Sequence, residues 1–254
     1  MDSLTSTHLI ATALVFAVSL VFSMLGLGGA MLYVPIFKWL ELPLKTVAIP
    51  LGLLLNGATS LSAFLRYWRE GLVDFRGGLP AAVSAVLAAP LGAWCMDYVP
   101  RDALLLLFAA FTALAGAYSL KAGAQEAAEP PSRQRRLLIG LGLGAGEGFV
   151  GGLLGVGGGF IVAPVLMALG FPTKRAVATT SFIVTFASIS GFAAHAAAGR
   201  LDPLLTGLTL LAAIAGAQAG AWFMATRAKP ARVKRLYGGL LLAVAAKLFW
   251  DVMH

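Results

Sequence analysis

The chain has 254 residues, of which 59% are hydrophobic and only 12% are charged, and its net charge is +8. Soluble globular domains are about one quarter charged, so this composition excludes a water-facing globule and predicts an integral membrane protein in a lipid bilayer. The basic residues lie in short clusters between apolar runs, as in loops beside membrane helices, which argues against a nucleic-acid partner.

Ten apolar segments along the chain predict an all-α membrane protein. They lie at residues 9–25, 28–40, 46–66, 79–96, 102–120, 137–154, 157–170, 176–198, 203–225 and 236–253. Most approach the roughly 20 residues that span a bilayer, but the second and seventh have about 14 residues and would reach only about 21 Å. The polar stretch in the middle divides the chain into a first transmembrane repeat (1–121), a cytoplasmic linker (122–136) and a second transmembrane repeat (137–254).

The two sets of five segments repeat one another. At an offset of 129 residues the matched pairs are Gly26 and Gly155, Gly28 and Gly157, Gly29 and Gly158, Pro35 and Pro164, and Lys45 and Lys174; at an offset of 128, Asp74 matches Asp202. Matches that stay collinear over such a length indicate an internal duplication, which is a common origin of transporter folds.

The short second and seventh segments each follow a glycine-rich motif, so each belongs either to one broken crossing helix or to a hairpin that turns back. If both turn back, all but five of the 19 Lys and Arg residues lie at one end of the molecule; the five are Lys38, Lys45, Arg101, Arg200 and Lys247. Continuous crossing would divide the charges almost evenly. The positive-inside rule therefore favours hairpins, with the linker in the cytoplasm and both termini outside. Each half then crosses an odd number of times, so the second repeat is inverted relative to the first.

The two glycine motifs predict a central anion site. Glycine frees backbone polar groups that lipid cannot satisfy, so such breaks persist only inside protein or beside a watery cavity. Each following helix presents N–H donors and partial positive charge at its N-terminus. The candidate substrate-binding residues are Gly26, Gly28, Gly29 and Ala30 in the first motif, and Gly155, Gly157, Gly158 and Gly159 in the second. The alternative is close helix packing through small residues.

Uncharged polar side chains in the third and eighth segments are further candidates for lining this site. They are Asn56 and Ser60 in the third segment, and Thr179, Thr180, Ser181 and Thr185, with Ser188 and Ser190 nearby, in the eighth. Hydroxyl and amide groups can bind an oxyanion reversibly. The alternative for each hydroxyl is a hydrogen bond to a carbonyl of its own helix.

Three ionisable residues are candidates for coupling or gating. Glu147 is the only acidic residue well inside an apolar run, where ionisable side chains are costly and commonly functional. We interpret it either as a proton-coupling group or as a partner for the broken backbone nearby. Arg66 and His195 match at the 129-residue offset and lie near helix ends, where they could gather anions or remain at the interface.

The stretch GLLGVGGGFIVAPVL, followed by FPTKRAVATTS and GRLDP, resembles the TauE/SafE family of sulfite exporters, also called toluene-sulfonate uptake permeases. The first copy, MLGLGGAMLYVPIF, is similar, although Ala30 replaces the third glycine, which predicts unequal half-sites. The resemblance covers essentially the whole chain. It implies secondary transport of small sulfur-containing anions, such as sulfite or organosulfonates, across the bacterial inner membrane.

Alternative functions are considered on the same residues. A carrier with the same architecture for an amino acid or a metal cation stays open, although the sequence has no His-rich tract and a single cysteine, Cys95. We expect the protein to bind no metal or cofactor and not to be an enzyme, because neither a His-Glu-x-x-His motif nor paired buried aspartates occur. A passive channel and a homodimer also stay open.

Overall fold

The computed structural model describes residues 2–121, 133–155, 157, 159–169, 171–195, 200–227 and 230–253. Within these ranges the chain forms ten α-helices and no strand, which confirms the all-α prediction. The helices are α1 (Asp2–Ser23), α2 (Ala30–Trp39), α3 (Ile49–Arg69), α4 (Phe75–Met96), α5 (Arg101–Lys121), α6 (Arg133–Leu154), α7 (Gly159–Ala168), α8 (Thr173–His195), α9 (Pro203–Thr226) and α10 (Pro230–Met253). A π-helical turn, Leu44–Ala48, leads directly into α3.

Five helical stretches are long and apolar enough to cross a membrane: Leu44–Arg69, Phe75–Met96, Arg136–Leu154, Thr173–His195 and Pro203–Thr226. Shorter apolar stretches lie in α1, α5 and α10. Large apolar side chains cover the outer faces, including Leu87 and Leu211, which are each 69% exposed. Water would disfavour a surface with so many of these side chains, whereas lipid would not. The chain is therefore a multi-pass membrane protein.

Both short helices belong to hairpins. The hydroxyl oxygens of Ser19 in α1 and Tyr33 in α2 lie 2.6 Å apart, whereas 14 residues of continuous helix would separate them by about 21 Å. In the second half, the guanidinium of Arg136, near the start of α6, lies 5.1 Å from the ring centroid of Phe171, which follows α7. Each pair therefore turns back at its glycine motif.

The helices α3 and α8 form the centre and run antiparallel. Arg200 N, beyond the end of α8, donates to Thr46 O, just before α3, at 2.9 Å. At the opposite end, Asp74 N, beyond α3, donates to Thr179 Oγ1, near the start of α8, at 3.0 Å. Of the five candidate membrane spans, those that contain α3 and α8 are also the most buried, with 78% and 72% of their apolar windows inside the protein.

Close packing through glycine joins α6 to α4 and α9 to α1. An added Cβ at Gly144, Gly148 or Gly152 in α6 would overlap the α4 backbone, and one at Gly216 or Gly220 in α9 would overlap the α1 backbone. The first helix of each half thus packs against the fourth helix of the other half. Small residues that let backbones approach are typical of membrane helix interfaces.

Asp74 and Asp202, which match between the two halves, cap the N-termini of corresponding helices in the same way. Asp74 caps the N-terminus of α4 by accepting from Gly77 N, and Asp202 caps α9 by accepting from Leu205 N. Each aspartate supplies an acceptor for an N–H that has no partner within the helix.

The matched lysines act at the other ends of these two helices. Lys45 Nζ donates to Met96 O, at the end of α4, at 3.1 Å, and Lys174 Nζ donates to Ala225 O, at the end of α9, at 2.8 Å. A cation near a helix C-terminus is stabilised by the helix dipole.

Candidate functional site

The two glycine motifs meet at the side chain of Asn56. Gly28 and Gly157 have φ angles of +70° and +62°, and a Cβ on either would overlap the Asn56 carboxamide. Asn56 lies in the middle of α3 and is fully buried. Glycine is needed at both positions, because the left-handed conformation and the lack of a Cβ together allow the backbone to reach the carboxamide.

The Asn56 carboxamide is hydrogen-bonded on both sides. Its Oδ1 accepts from Gly29 N at 2.7 Å and from Ala30 N at 2.9 Å, at the N-terminus of α2. Its Nδ2 donates to Ser188 Oγ of α8 at 2.7 Å. The carboxamide oxygen thus occupies the position that an anion takes at a helix N-terminus, and the side chain links both halves of the chain.

The outer glycines of each motif pack against the start of the other half's central helix. Gly26, with φ of +69°, faces Val177 O and Ser181 Oγ of α8, and Gly155, with φ of +71°, faces Ile49 of α3. Gly159 packs against Leu27 and Val184. Gly158 lies outside the described residues.

The candidate hydroxyls divide into two groups. Ser181 Oγ donates to Val177 O and Thr185 Oγ1 donates to Ser181 O, which is the local alternative considered above, while Thr179 Oγ1 accepts from Asp74 N. Ser60 and Thr180 are fully buried, and their hydroxyl oxygens have no hydrogen-bond partner in the described part of the chain. These two hydroxyls therefore have both their donor and their acceptor capacity available to another group.

Tyr33 is a buried polar residue beside the site that the sequence analysis missed. An added Cβ at Gly29 would overlap its ring, so Gly29 also makes room for this side chain. Because Ser19 Oγ donates to Val15 O at 2.7 Å, the Tyr33 hydroxyl donates to Ser19 Oγ and accepts from Thr59 Oγ1, which lies 2.9 Å away. A tyrosine placed four residues after a glycine motif in an apolar run was the available signal.

The three ionisable candidates, Arg66, His195 and Glu147, make no hydrogen bond to Asn56 among the described contacts, and each has different surroundings. Arg66 pairs with Glu70 at 3.0 Å at the end of α3. The His195 Nε2 lies 3.0 Å from Gly152 O of α6. Glu147 is fully buried in α6, and neither carboxyl oxygen has a hydrogen-bond partner among the described residues.

The described part of the chain contains no group of three His, Cys, Asp or Glu residues that could hold a metal ion. The chemistry that the site offers is hydrogen bonding by amide, carboxamide and hydroxyl groups, combined with the partial positive charge of helix N-termini. The N–H and O–H donors among these groups are able to bind an oxyanion.

Comparison with known proteins gives a consistent family. The model of the family "Sulfite exporter TauE/SafE" matches residues 11–248. The chain is 30% identical over 225 residues to the probable membrane transporter protein YunE of Bacillus subtilis, covering 79% of this chain and 80% of that protein. It is 25% identical over 186 residues to the probable membrane transporter protein MJ0441 of Methanocaldococcus jannaschii, covering 71% and 69%.

A shorter match links the chain to a plant protein. Over 41 residues, 16% of this chain and 9% of the other, it is 54% identical to the sulfite exporter TauE/SafE family protein 3 of Arabidopsis thaliana. No solved structure gives a significant match. Because the family model covers nearly the whole chain, this protein belongs to the TauE/SafE sulfite exporter family of membrane transporters.

Proposed function

We propose that this protein is a secondary transporter, in the export direction, of small sulfur-containing anions such as sulfite or organosulfonates. The observation that carries the proposal is the meeting of Gly28 and Gly157, one from each half, at the buried carboxamide of Asn56. In this proposal the anion binds at that meeting point, near the membrane midplane. Family membership supports the class of transporter, and the chemistry of the meeting point supports the anion.

The donors around Asn56 suit an oxyanion. Asn56 Oδ1 accepts from the amides of Gly29 and Ala30, and an oxygen of sulfite or of a sulfonate accepts the same two hydrogen bonds. Asn56 Nδ2 and Ser188 Oγ would supply further donors once their mutual bond opens. Uncharged donors hold an anion less tightly than a buried Lys or Arg would, which favours release on the far side of the membrane.

Access alternates, in our proposal, as the two hairpins move relative to the central helices. The conformation described here is closed, because Gly28, Gly157 and Asn56 are in contact and buried. An entering anion displaces the Asn56 oxygen from the α2 amides, and the carboxamide returns when the anion leaves. Asn56 thus keeps the helix N-terminus hydrogen-bonded when no substrate is present.

The same proposal includes two inverted repeats, 1–121 and 137–254. The antiparallel course of α3 and α8 and the paired lysine contacts of Lys45 and Lys174 support it. Residues 133–136 of the predicted 122–136 linker form the start of α6, and 122–132 lie outside the described residues. In the proposal the protein lies in the inner membrane with its arginine- and lysine-rich end, and hence the linker, in the cytoplasm and both termini on the outer side.

The proposal is tested by counterflow in liposomes that contain the purified protein. Labelled sulfite and a labelled alkyl sulfonate are the probes, with sulfate, acetate and an amino acid as competitors. We expect saturable exchange of the sulfur anions that is lost in Gly157→Ala, where the added Cβ meets Asn56 Nδ2 and Ser188 Oγ.

The matched control is Gly71→Ala. Gly71 has φ of +69°, but nothing lies within 4 Å of an added Cβ, so only the backbone conformation is perturbed. Equal loss of anion exchange in Gly157→Ala and Gly71→Ala would show that the anion binds at a place other than the meeting point at Asn56. Exchange of the amino acid alone, or of no solute in sealed vesicles, would contradict the proposed substrate class.

A further inference from the structure

The carboxyl of Glu147 has no role in the anion site described above, although it is an ionisable group inside a membrane-spanning helix. It is fully buried, and both of its oxygens lack a hydrogen-bond partner among the described residues. At the 129-residue offset its counterpart in the first half is Val18, so the carboxyl is not part of the duplicated framework. An unpaired carboxylate is strongly disfavoured in apolar surroundings, so the group is a neutral carboxylic acid in this closed conformation.

A small cavity lies beside α6, on the helix face that carries this carboxyl. It has a volume of about 10 Å³, roughly the room that one water molecule needs. Arg136, Gly140 and Leu143 of α6 line it together with Leu166 and Phe171. Positions 136, 140, 143 and 147 share one face of a helix. Of these lining residues of α6, Leu143 is about one helical turn from Glu147, and Arg136, whose side chain is 36% exposed, is the farthest from it.

On the other side of Glu147 along α6, the buried His195 of α8 contacts the helix backbone. The His195 ring nitrogen Nε2 lies 3.0 Å from Gly152 O, and Gly152 is five residues, or about 7.5 Å, beyond Glu147 along the helix. Glu147 thus lies between the cavity at the linker end of α6 and a buried histidine near the other end.

Few titratable groups share this region with Glu147. Of the helices packed on α6, α7 has none in its described residues, and those of α4, α5, α8 and α6 itself lie towards the helix ends. The groups whose side chains are described are Arg76 and Cys95 of α4 with the flanking Asp74 and Asp97, Asp102 of α5, Lys174, Arg175 and His195 of α8, and Arg136 of α6. In the described part of the chain, Glu147 is the one acidic side chain at its level of the bundle.

We propose that Glu147 is the proton-binding site that couples transport to the proton gradient. This inference rests on the proposed function. The carboxylate takes up one proton as its O–H bond forms, and it releases that proton when the site faces the other side. Because an ionised Glu147 would repel a negatively charged substrate in the same low-dielectric interior, the anion binds when Glu147 is protonated. Proton and anion therefore move in the same direction. Net export then occurs only while the outward gradient of the anion exceeds the opposing inward gradient of protons.

The first test compares proton and anion movement in sealed liposomes. Methanesulfonate, which stays fully ionised, is the probe, and a pH-sensitive dye reports the lumen while valinomycin and potassium clamp the potential. In the wild type, sulfonate entry acidifies the lumen. In Glu147→Gln we expect sulfonate counterflow at equal pH to persist, while protons moved per sulfonate fall about tenfold or more.

Asp102→Asn is the matched control, because Asp102 is an exposed carboxylate in the first turn of α5. It should retain the wild-type ratio of protons to sulfonate. An unchanged ratio in Glu147→Gln, or an equal loss in Asp102→Asn, would overturn the inference.

The second test does not depend on the substrate. Infrared difference spectra of the protein in lipid, recorded against pH, should contain a carbonyl band from a buried neutral carboxylic acid that titrates and is absent from Glu147→Gln. If methanesulfonate is not transported but this band is present, the substrate class fails and the proton site stands. The absence of any such band in the wild type would overturn the proton site even if sulfonate is transported.

Discussion

Substitution of Gly28 by alanine tests whether Asn56 holds the two halves together at the glycine breaks. Gly28 has φ of +70°, and a Cβ there would overlap the Asn56 carboxamide. The carboxamide cannot turn away without leaving the Gly29 and Ala30 amides buried and unpaired. Each unpaired buried amide costs about 1–3 kcal/mol, so this displacement costs about 2–6 kcal/mol.

Gly71→Ala provides the reference for the backbone effect alone. Gly71 has φ of +69°, and nothing lies within 4 Å of an added Cβ, so its cost is that of the left-handed conformation, about 1–2 kcal/mol. Gly28→Ala should therefore lower the free energy of unfolding by about 2–6 kcal/mol more than Gly71→Ala does. Reversible unfolding in mixed detergent micelles measures both values.

A double-mutant cycle separates the Asn56 contact from any other effect of the methyl group. In an Asn56→Ala background the carboxamide is already absent, so Gly28→Ala should cost no more than Gly71→Ala. The reasoning is refuted if Gly28→Ala and Gly71→Ala are equally destabilising in the wild-type background. It is also refuted if the excess cost persists when residue 56 is alanine.

Three further predictions concern the framework, and each is measured as a change in the free energy of unfolding in the same micelles. Lys45→Met and Lys174→Met should each lower the free energy of unfolding by about 1–2 kcal/mol, because each removes a cation from a helix C-terminus. The two losses should be similar, and a large difference between them would contradict the matching roles of the two lysines. Gly148→Ala should destabilise by about 1–3 kcal/mol because its Cβ overlaps the α4 backbone. Gly146→Ala, with open space, should be neutral or stabilising by up to about 1 kcal/mol, and the opposite order would contradict the packing. Tyr33→Phe should cost about 1–2 kcal/mol, and no loss would show that its hydroxyl contacts are weak.

The helices were predictable because apolar runs of membrane length leave little alternative to helix in lipid. The residues matched by offset also share structural roles that the sequence analysis did not predict. Asp74 and Asp202 cap the N-termini of α4 and α9, and Lys45 and Lys174 donate to carbonyls at the C-termini of the same two helices. Local rules at helix ends depend on a few neighbouring residues, which the sequence supplies directly.

The meeting of both motifs at Asn56 was not predictable in detail. Asn56 bonds to Ser188, 132 residues away, and only the packing of α3 against α8 brings them together. The counterpart of Asn56 at the 129-residue offset is Thr185, which bonds to its own helix instead. Similar hydroxyls in one apolar helix therefore take local or long-range partners according to which helix lies opposite, and a single sequence does not specify that neighbour.

The central claim is that a sulfur oxyanion binds where the glycine breaks meet at Asn56. The most direct test is a crystal structure of the protein with selenite or an alkyl selenonate, in which anomalous scattering locates the selenium. The account predicts a selenium peak placed so that the oxygens of its anion lie within about 3 Å of the Gly29 or Ala30 amide nitrogen or of Asn56 Nδ2. This peak should be absent from the Asn56→Asp variant. A peak found only near Lys45 or Lys174 at the ends of the helices, with none between the glycine motifs, would contradict it.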